Sequence, residues 1–525
     1  ALDYAIGGLA VTSYHVTSVL LHAVNVVLLF ILTRRAFSAW RPLAATPAGA
    51  GPQQAPPGRK RAAKDDRRRP GSADAAAFAA AAVFAVHPMM TQAVGYISGR
   101  AEVLCALFFL SACLAAQTWL AGRGPAWLAA LSGAWALSLA SKEVAIALPL
   151  ILIAYGFFWP GIGEAARRRL SWAAAIMLGL MAGAAVYRLT TLVHVENAAR
   201  AGFTWANVLV GFDMVRQYTK LMAIPVGQSI FHSASLGEVT AVKGVVISLL
   251  WIAGLCVIAW RSRRTEPVAG LGVTWFLLLL LPSSFLLVLD IGEPMAEQRV
   301  YLAACGFAMA CGSGYARLAA WPRLPGGAVP ARLALGACVV VLALLTVGRN
   351  QLWRDPIALW SEAVAREPRV WVPYVGLGDA LRERGDYPAA ADAYREAVGL
   401  RPDEPAPYLP LATSLLMSGH GDEADKYFER ADELSPGGVE APVGRALAAR
   451  MSGRRDEARD RLEAVARFHA RAVRPRRLLA VMYEQDYGDR ASALRACLEV
   501  RALAPNTPGV EECVRRNEEP GGNGR

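Results

Sequence analysis

Charge is scarce in this chain. Only 19% of its 525 residues are Asp, Glu, Lys or Arg, while 54% are hydrophobic. An ordinary soluble domain carries about 25% charged residues, so a wholly soluble chain is disfavoured. Several chemical motifs are missing as well. There is no GxxxxGK(S/T) phosphate loop, no HExxH pair, no GxSxG elbow and no paired CxxC. The seven His residues are scattered. His15 and His22 share a helix face but stand about two turns, ~10 Å, apart along the axis, too far to share one ion. No metal and no cofactor are expected. No basic stretch followed by an apolar run and a cleavage site opens the chain, so no signal peptide is read. Ala1–Ala10 resembles the approach to a membrane helix, and a further segment upstream is expected.

The charge that is present is unevenly placed. Residues 1–348 hold 28 Lys and Arg against 14 Asp and Glu, a net +14. Residues 349–525 hold 27 against 29, a net −2. The basic excess therefore sits in the apolar part, where it reports membrane orientation rather than nucleic-acid binding. A bilayer core needs about 20 apolar residues per helix. Ten candidate spans fall near 14–33, 75–87, 103–120, 127–141, 144–160, 170–190, 242–260, 270–289, 300–316 and 331–348. The loop 34–74 carries ten Lys and Arg against three acids and is rich in Pro, Gly and Ala, the composition of a disordered segment. With ten spans it shares one side, read as cytoplasmic, with Arg167–Arg169, Arg261, Arg263, Arg264, Arg317 and Arg323. The other side receives 1–12, 88–102, Ser141–Glu143, a long 191–241 loop, 290–299 and everything after 349.

On that outer side the charges cluster: Arg100 and Glu102, Lys142 and Glu143, then Asp290, Glu293, Glu297 and Arg299. They read either as caps at the interface or as the lining of a polar cavity. In the second reading Arg100, Lys142 and Arg299 bind a phosphate or diphosphate, with His87, Glu102, Glu143 and Glu297 as supporting polar groups. Glu102, Glu143 and Glu297 each have a basic residue one or two positions away, which suits pairing.

The remainder, 349–510, is periodic. Pro368, Pro402 and Pro436 are 34 residues apart, as are Gly385, Gly419 and Gly453, and Ala390, Ala424 and Ala458. Tyr394, Phe428 and Leu462 keep the step, and Gly378, Ala412 and Ala446 supply small residues. This is the tetratricopeptide pattern of paired helices, preceded by a half-repeat at Trp360, Ala363 and Pro368. A fourth unit at about 470–505 carries one inserted residue, and 511–525 is a polar tail. Such solenoids bind peptides or proteins on a concave face. Tyr374 and Tyr408, on first helices, are either part of that surface or inter-repeat packing. Six of eight Cys lie in the spans; Cys497 lies on the last repeat's second helix and Cys513 on the segment that follows, where antiparallel packing is expected to allow a disulfide. The expected fold is all-α, a polytopic helical membrane bundle followed by a tetratricopeptide solenoid.

The stretch Phe84-Ala-Val-His-Pro-Met-Met-Thr-Gln-Ala-Val-Gly-Tyr-Ile-Ser-Gly-Arg-Ala-Glu102 resembles the transmembrane and tetratricopeptide repeat-containing family and its bacterial relatives. Tyr14–His22, Leu139–Glu143, Glu293–Tyr301 and Arg349–Asp355 add to the resemblance, which covers nearly the whole chain. Gln92 departs from the Glu expected after Thr91. The resemblance implies a GT-C glycosyltransferase fold and transfer of a sugar, mannose in the eukaryotic members, from a polyprenyl-phosphate donor to a Ser or Thr hydroxyl outside the cytoplasm. It also implies a bacterial inner-membrane protein with periplasmic repeats that hold an acceptor or partner protein. The key acids of the family sit in a first outer loop, expected upstream of Ala1; within this chain Asp290 and Glu293 are the fallback bases. Two alternatives stand beside it: a non-catalytic membrane-anchored scaffold for envelope proteins, and a lipid-linked sugar transferase acting on glycans.

Overall fold

The computed structural model describes residues 8, 11–44, 71–159, 163–187, 205–232, 242–286, 295–321 and 328–518. Among these the secondary structure is helical, with one isolated antiparallel bridge between His232 and Met295. The chain forms two compact units, Ala1–Arg354 and Asp355–Arg525. Asp290, Glu293, residues 45–70 and the end of the tail lie outside the described residues.

The first unit begins with α1 (Val11–Ala44), α2 (Gly71–Val86), the short α3 (Thr91–Gly95), α4 (Arg100–Leu120), α5 (Ala126–Ser141) and α6 (Leu148–Phe158). It continues with α7 (Glu164–Tyr187), α8 (Trp205–Ala223), α9 (Val242–Thr265), α10 (Pro267–Leu286), α11 (Tyr301–Ala319) and α12 (Val329–Leu352). A single apolar core runs through α1, α2, α4, α6, α10 and α11. Small residues let these helices meet backbone to backbone, as membrane helices do when no water drives them together. Gly272 of α10 and Gly306 of α11 are an example: a Cβ on either would overlap the carbonyl oxygen of the other.

One expectation needs correction. The 191–241 segment is not all loop, because it contains α8. Val210, Met214, Tyr218 and Leu221 are buried at three- and four-residue steps, a helical period. Asp213, Arg216 and Lys220 on the same helix hide it from a search for long apolar runs. Among the described residues, four helices are long and apolar enough to cross a membrane alone: Val11–Ala39, Ile97–Leu120, Lys243–Thr265 and Val329–Leu352. A fifth is added if Ala73–Val86 and Pro88–Gly95, bent by 56°, form one broken span. Ala126–Ser141, Glu143–Phe158 and Pro267–Leu280 are apolar but shorter, and α7 carries Arg167–Arg169 near its start. The outer faces of α9 and α12 remain apolar, with Leu250 68% and Leu344 67% exposed. Such faces are consistent with a multi-pass membrane protein.

The basic residues gather at one end of this bundle. Arg34 pairs with Asp74, Arg35 donates to Thr118 Oγ1 at 3.1 Å, and Arg169 donates to the Trp119 carbonyl at 3.3 Å. The opposite end carries the C-terminus of α2, the N-terminus of α4, the C-terminus of α5 and the N-terminus of α11, and with them Arg100, Glu102, Lys142, Glu143, Glu297 and Arg299.

The second unit pairs helices in sequence: α13 (Pro356–Arg366), α14 (Trp371–Glu383), α15 (Tyr387–Leu400), α16 (Tyr408–Met417), α17 (Gly421–Leu434), α18 (Glu440–Met451), α19 (Arg455–Phe468), α20 (Val473–Gln485), α21 (Arg490–Leu503) and α22 (Val510–Glu518). The 34-residue step has a physical meaning at each position. Ala390, Ala424 and Ala458 are fully buried, and Tyr394, Phe428 and Leu462 fill the gap between helices. Gly385, Gly419 and Gly453 turn the chain with φ of 85°, 86° and 81°, a left-handed conformation costly to other residues. In the fourth unit the turn glycine is Gly488, one place late, as the inserted residue requires. Asp355, Asp386 and Asp489 cap helices by accepting backbone N–H bonds.

Candidate functional site

The polar end of the bundle is built where apolar helices stop. α2 ends at His87-Pro88, and proline cannot continue a helix. His87 caps the following turn: its Nδ1 accepts from Met89 N at 3.3 Å and its Nε2 donates to the Met222 carbonyl at 3.0 Å. Both nitrogens are committed, which fixes the neutral tautomer and makes His87 a joint between α2 and α8. Gly99 lies against the Gln92 and Ala93 carbonyls at distances that leave no room for a Cβ. That close approach lets α4 start beside α3.

α4 then places Glu102 in its first turn, with its side chain only 3% exposed. Lys142, the C-cap of α5, reaches it with Nζ 3.2 Å from Oε1. Arg299 and Glu143 lie within electrostatic range of the same carboxylate. The Tyr218 hydroxyl, which donates to the Ala296 carbonyl at 2.8 Å, sits in the field of Arg299, Glu297 and Glu102. Thus Lys142 contacts Glu102 directly, while Arg299, from a separate segment, acts on it only through its field. Arg100 is engaged elsewhere: its guanidinium stands 4.7 Å from the Tyr14 ring centre, and Nε donates to the Ile97 carbonyl. Residues two apart on a helix are turned by about 200°, or 160° the short way round, so Arg100 and Glu102 leave α4 on nearly opposite sides.

Glu297 has a different environment. It is 1% exposed and accepts from three donors: Ser229 N at 2.9 Å, His232 Nε2 at 3.0 Å and Gln228 Nε2 at 3.1 Å. It therefore clamps the 228–232 segment to the start of α11. Gln92 completes the seam by accepting the Gln298 backbone N–H at 2.8 Å. Sequence reasoning did not single out Gln228, Ser229 and His232. They fell in the supposed long loop, and only their closeness to a helix-ending proline, Pro225, marked a built turn. Deeper in the bundle, Asn25 Nδ2 donates to the Tyr301 hydroxyl, which donates to His22 Nδ1, whose Nε2 donates to the Ala85 carbonyl. These hydrogen bonds give His22 a structural role between α1, α2 and α11. Among the described residues no group of three His, Cys, Asp or Glu is placed to hold a metal ion.

In the repeats, Tyr408 is not a surface residue. It is 4% exposed, donates to the Pro402 carbonyl at 2.7 Å and packs with its ring centre 6.3 Å from that of Tyr427. It is inter-repeat packing. Tyr374 is half-buried and donates to the Pro368 carbonyl in the equivalent way, at 3.3 Å. Cys497 and Cys513 are joined in a disulfide that ties α21 to α22, with Cα atoms 6.1 Å apart.

Residues 378–419 match the tetratricopeptide repeat family. The chain is 24% identical over 375 residues to Protein O-mannosyl-transferase Tmtc3 of Drosophila melanogaster, an alignment covering 60% of this chain and 39% of that protein. It thus spans about two fifths of the length of that relative. Among solved structures, YrrB, a tetratricopeptide protein with an unusual peptide-binding site, shares 21% identity at a TM-score of 0.28, covering 34% of this chain and 90% of its own. A thermophilic tetratricopeptide protein of Thermus thermophilus shares 17% identity at a TM-score of 0.27, covering 34% of this chain and 95% of its own.

Proposed function

We propose that this protein is a multi-pass membrane glycosyltransferase-like protein. In this reading it transfers a sugar from a polyprenyl-phosphate donor to a Ser or Thr hydroxyl of a protein, on the side away from its basic loops. The repeats hold the acceptor or a partner protein. The observation that carries the reading is the buried Lys142–Glu102 ion pair, with Arg299 in the field of the same carboxylate, at the polar end of an apolar bundle. Similarity to an O-mannosyltransferase supports the sugar chemistry. Two cations from different segments suit a departing lipid phosphate, whose growing negative charge they stabilise as the bond to the anomeric carbon breaks. The attacking hydroxyl must give its proton to a carboxylate. Glu102 is held by Lys142, and Glu297 is saturated by three donors, so neither is assigned that role. Asp290 and Glu293 remain the candidates. The bacterial inner membrane and a periplasmic repeat domain belong to the same proposal.

The test uses the full chain in lipid nanodiscs with a synthetic polyprenyl-phosphate mannose carrying a labelled sugar and a Ser/Thr-rich peptide. Label should move to the peptide hydroxyls, and the donor should bind more tightly than the uncharged polyprenol. Arg299→Ala should weaken donor binding at least about tenfold, the loss expected when one partner of a desolvated charge contact is removed. Equal binding of polyprenol and polyprenyl phosphate would overturn the phosphate site. Peptide capture without any transfer would replace the enzyme with the scaffold.

A further inference from the structure

The basic half of the bundle carries a second feature, whose lining includes none of Glu102, Lys142 and Arg299. Between α6, α8, α9 and α10 lies an apolar cavity of about 700 Å³, within the ~300–1,000 Å³ typical of small-molecule sites. Ile153, Phe157, Phe212, Ile252, Trp260 and Leu277 are among its walls. Its lining on α9 runs from Ile252 to Trp260, so the cavity lies along the helix like a slot for a chain rather than a compact ring.

The two ends of that slot differ in charge. One turn before Ile252, Ser248 donates to Asp213 at 3.0 Å; Asp213 is also held by Arg216 at 2.8 Å and Gln217 at 2.7 Å. That end is internally neutralised. One turn after Trp260 comes Arg263, roughly 22 Å from Ser248 at 1.5 Å per residue. Its guanidinium lies 4.3 Å from the Trp260 ring centre and 5.1 Å from that of Phe157, two residues that also wall the cavity. Arg261 and Arg264 flank it and are exposed. Among the described residues no carboxylate pairs with Arg263. Aromatic faces therefore hold a cation at the mouth of an apolar slot, with further positive charge around it.

We propose that this slot binds an anionic glycerophospholipid, an acyl chain between α6, α8, α9 and α10 and the phosphate on Arg263. An acyl chain matches the apolar walls, and a phosphate diester with no ammonium of its own supplies the negative charge that no carboxylate among the described residues brings to Arg263. Basic pockets between membrane helices bind anionic headgroups in this way, on the leaflet where anionic lipids and basic loops meet. The proposal rests on the membrane reading alone and is independent of sugar transfer.

The experiment measures binding of phosphatidylglycerol and phosphatidylcholine to the detergent-purified full chain, by native mass spectrometry and by thermal shift. Wild type should retain phosphatidylglycerol and be stabilised by it in preference to phosphatidylcholine. Arg263→Gln should weaken phosphatidylglycerol binding about fivefold, the effect of one basic residue at an anionic membrane surface, with phosphatidylcholine unaffected. Ile153→Trp, which fills the slot without touching the charge, should weaken both lipids. Equal response to the two lipids in wild type, or an unchanged preference in Arg263→Gln, overturns the headgroup site. Unchanged binding in Ile153→Trp overturns the chain site. Stabilisation by polyprenyl phosphate but not by phosphatidylglycerol overturns the assigned occupant.

Discussion

The most decisive perturbation is Glu297→Ala compared with Glu297→Gln. Oε1 of Glu297 accepts from Ser229 N and His232 Nε2, and Oε2 accepts from Gln228 Nε2. Alanine removes all three acceptors and strands three donors in a site that is 1% exposed. Breaking one partner out of a buried charged contact costs about 3–5 kcal/mol, and alanine should reach that range. Glutamine keeps one carbonyl oxygen, enough for Ser229 and His232. Its amide then faces Gln228, whose own amide must turn and give up its contact to Met89 Sδ. About 1–2 kcal/mol is the expected cost. A fluorogenic maleimide melt reads this from the first unit alone. Cys105, Cys113 and Cys305 are buried there, while Cys497 and Cys513 are bonded and silent. Cys256, Cys311 and Cys338, exposed or half-buried, are first replaced by serine to clear the baseline. Melting should fall in the order wild type, Glu297→Gln, Glu297→Ala. An alanine variant that melts with wild type would refute the clamp and return Glu297 to the list of proton acceptors.

Three further outcomes are expected. A cytoplasm-active reporter should work when fused after Arg264 and be silent when fused after Gly437; activity at Gly437 reverses the orientation. Burial opposes ionisation of Asp425, but Arg445 and Arg461 together hold its carboxyl below the usual range. That contribution is complete above the ordinary Asp pKa and is lost as pH falls through the lower folded value; Asp425→Asn should remove this acid dependence, read by hydrogen exchange across α17–α19, and an unchanged acid profile would refute it. Gly444→Ala would gain about 1 kcal/mol of helix propensity, yet its Cβ would overlap the Phe428 ring, itself 2% exposed. Overpacking at about 1–3 kcal/mol should win, with Gly444→Ala/Phe428→Leu recovering part of the loss, whereas a simple gain in stability for Gly444→Ala would show that the two helices are not in contact there.

Legibility in the sequence followed the range of the forces involved. The repeats were readable because each position serves neighbours within one 34-residue step, so Gly385 or Tyr394 recurs with its reason. The bundle helices were readable as apolar runs, except α8, where a half-polar face carrying Asp213 and Lys220 masked a helical period. The polar end was readable as a set of segments but not as a set of partners. Reading pairs from adjacent positions matched Glu102 with Arg100 and Glu297 with Arg299. Side chains one or two apart on a helix diverge, and the partners are Lys142, forty positions on, and His232, 65 positions back. The distinction matters for chemistry. Lys142, whose side chain is 27% exposed, can reach an incoming phosphate while it holds Glu102, whereas a carboxylate saturated by three donors serves to hold structure. Glu102 and Glu297 look alike in the sequence, each beside an arginine near the start of an apolar helix. Their different roles come from how many donors the fold brings to each, a quantity that no local pattern encodes.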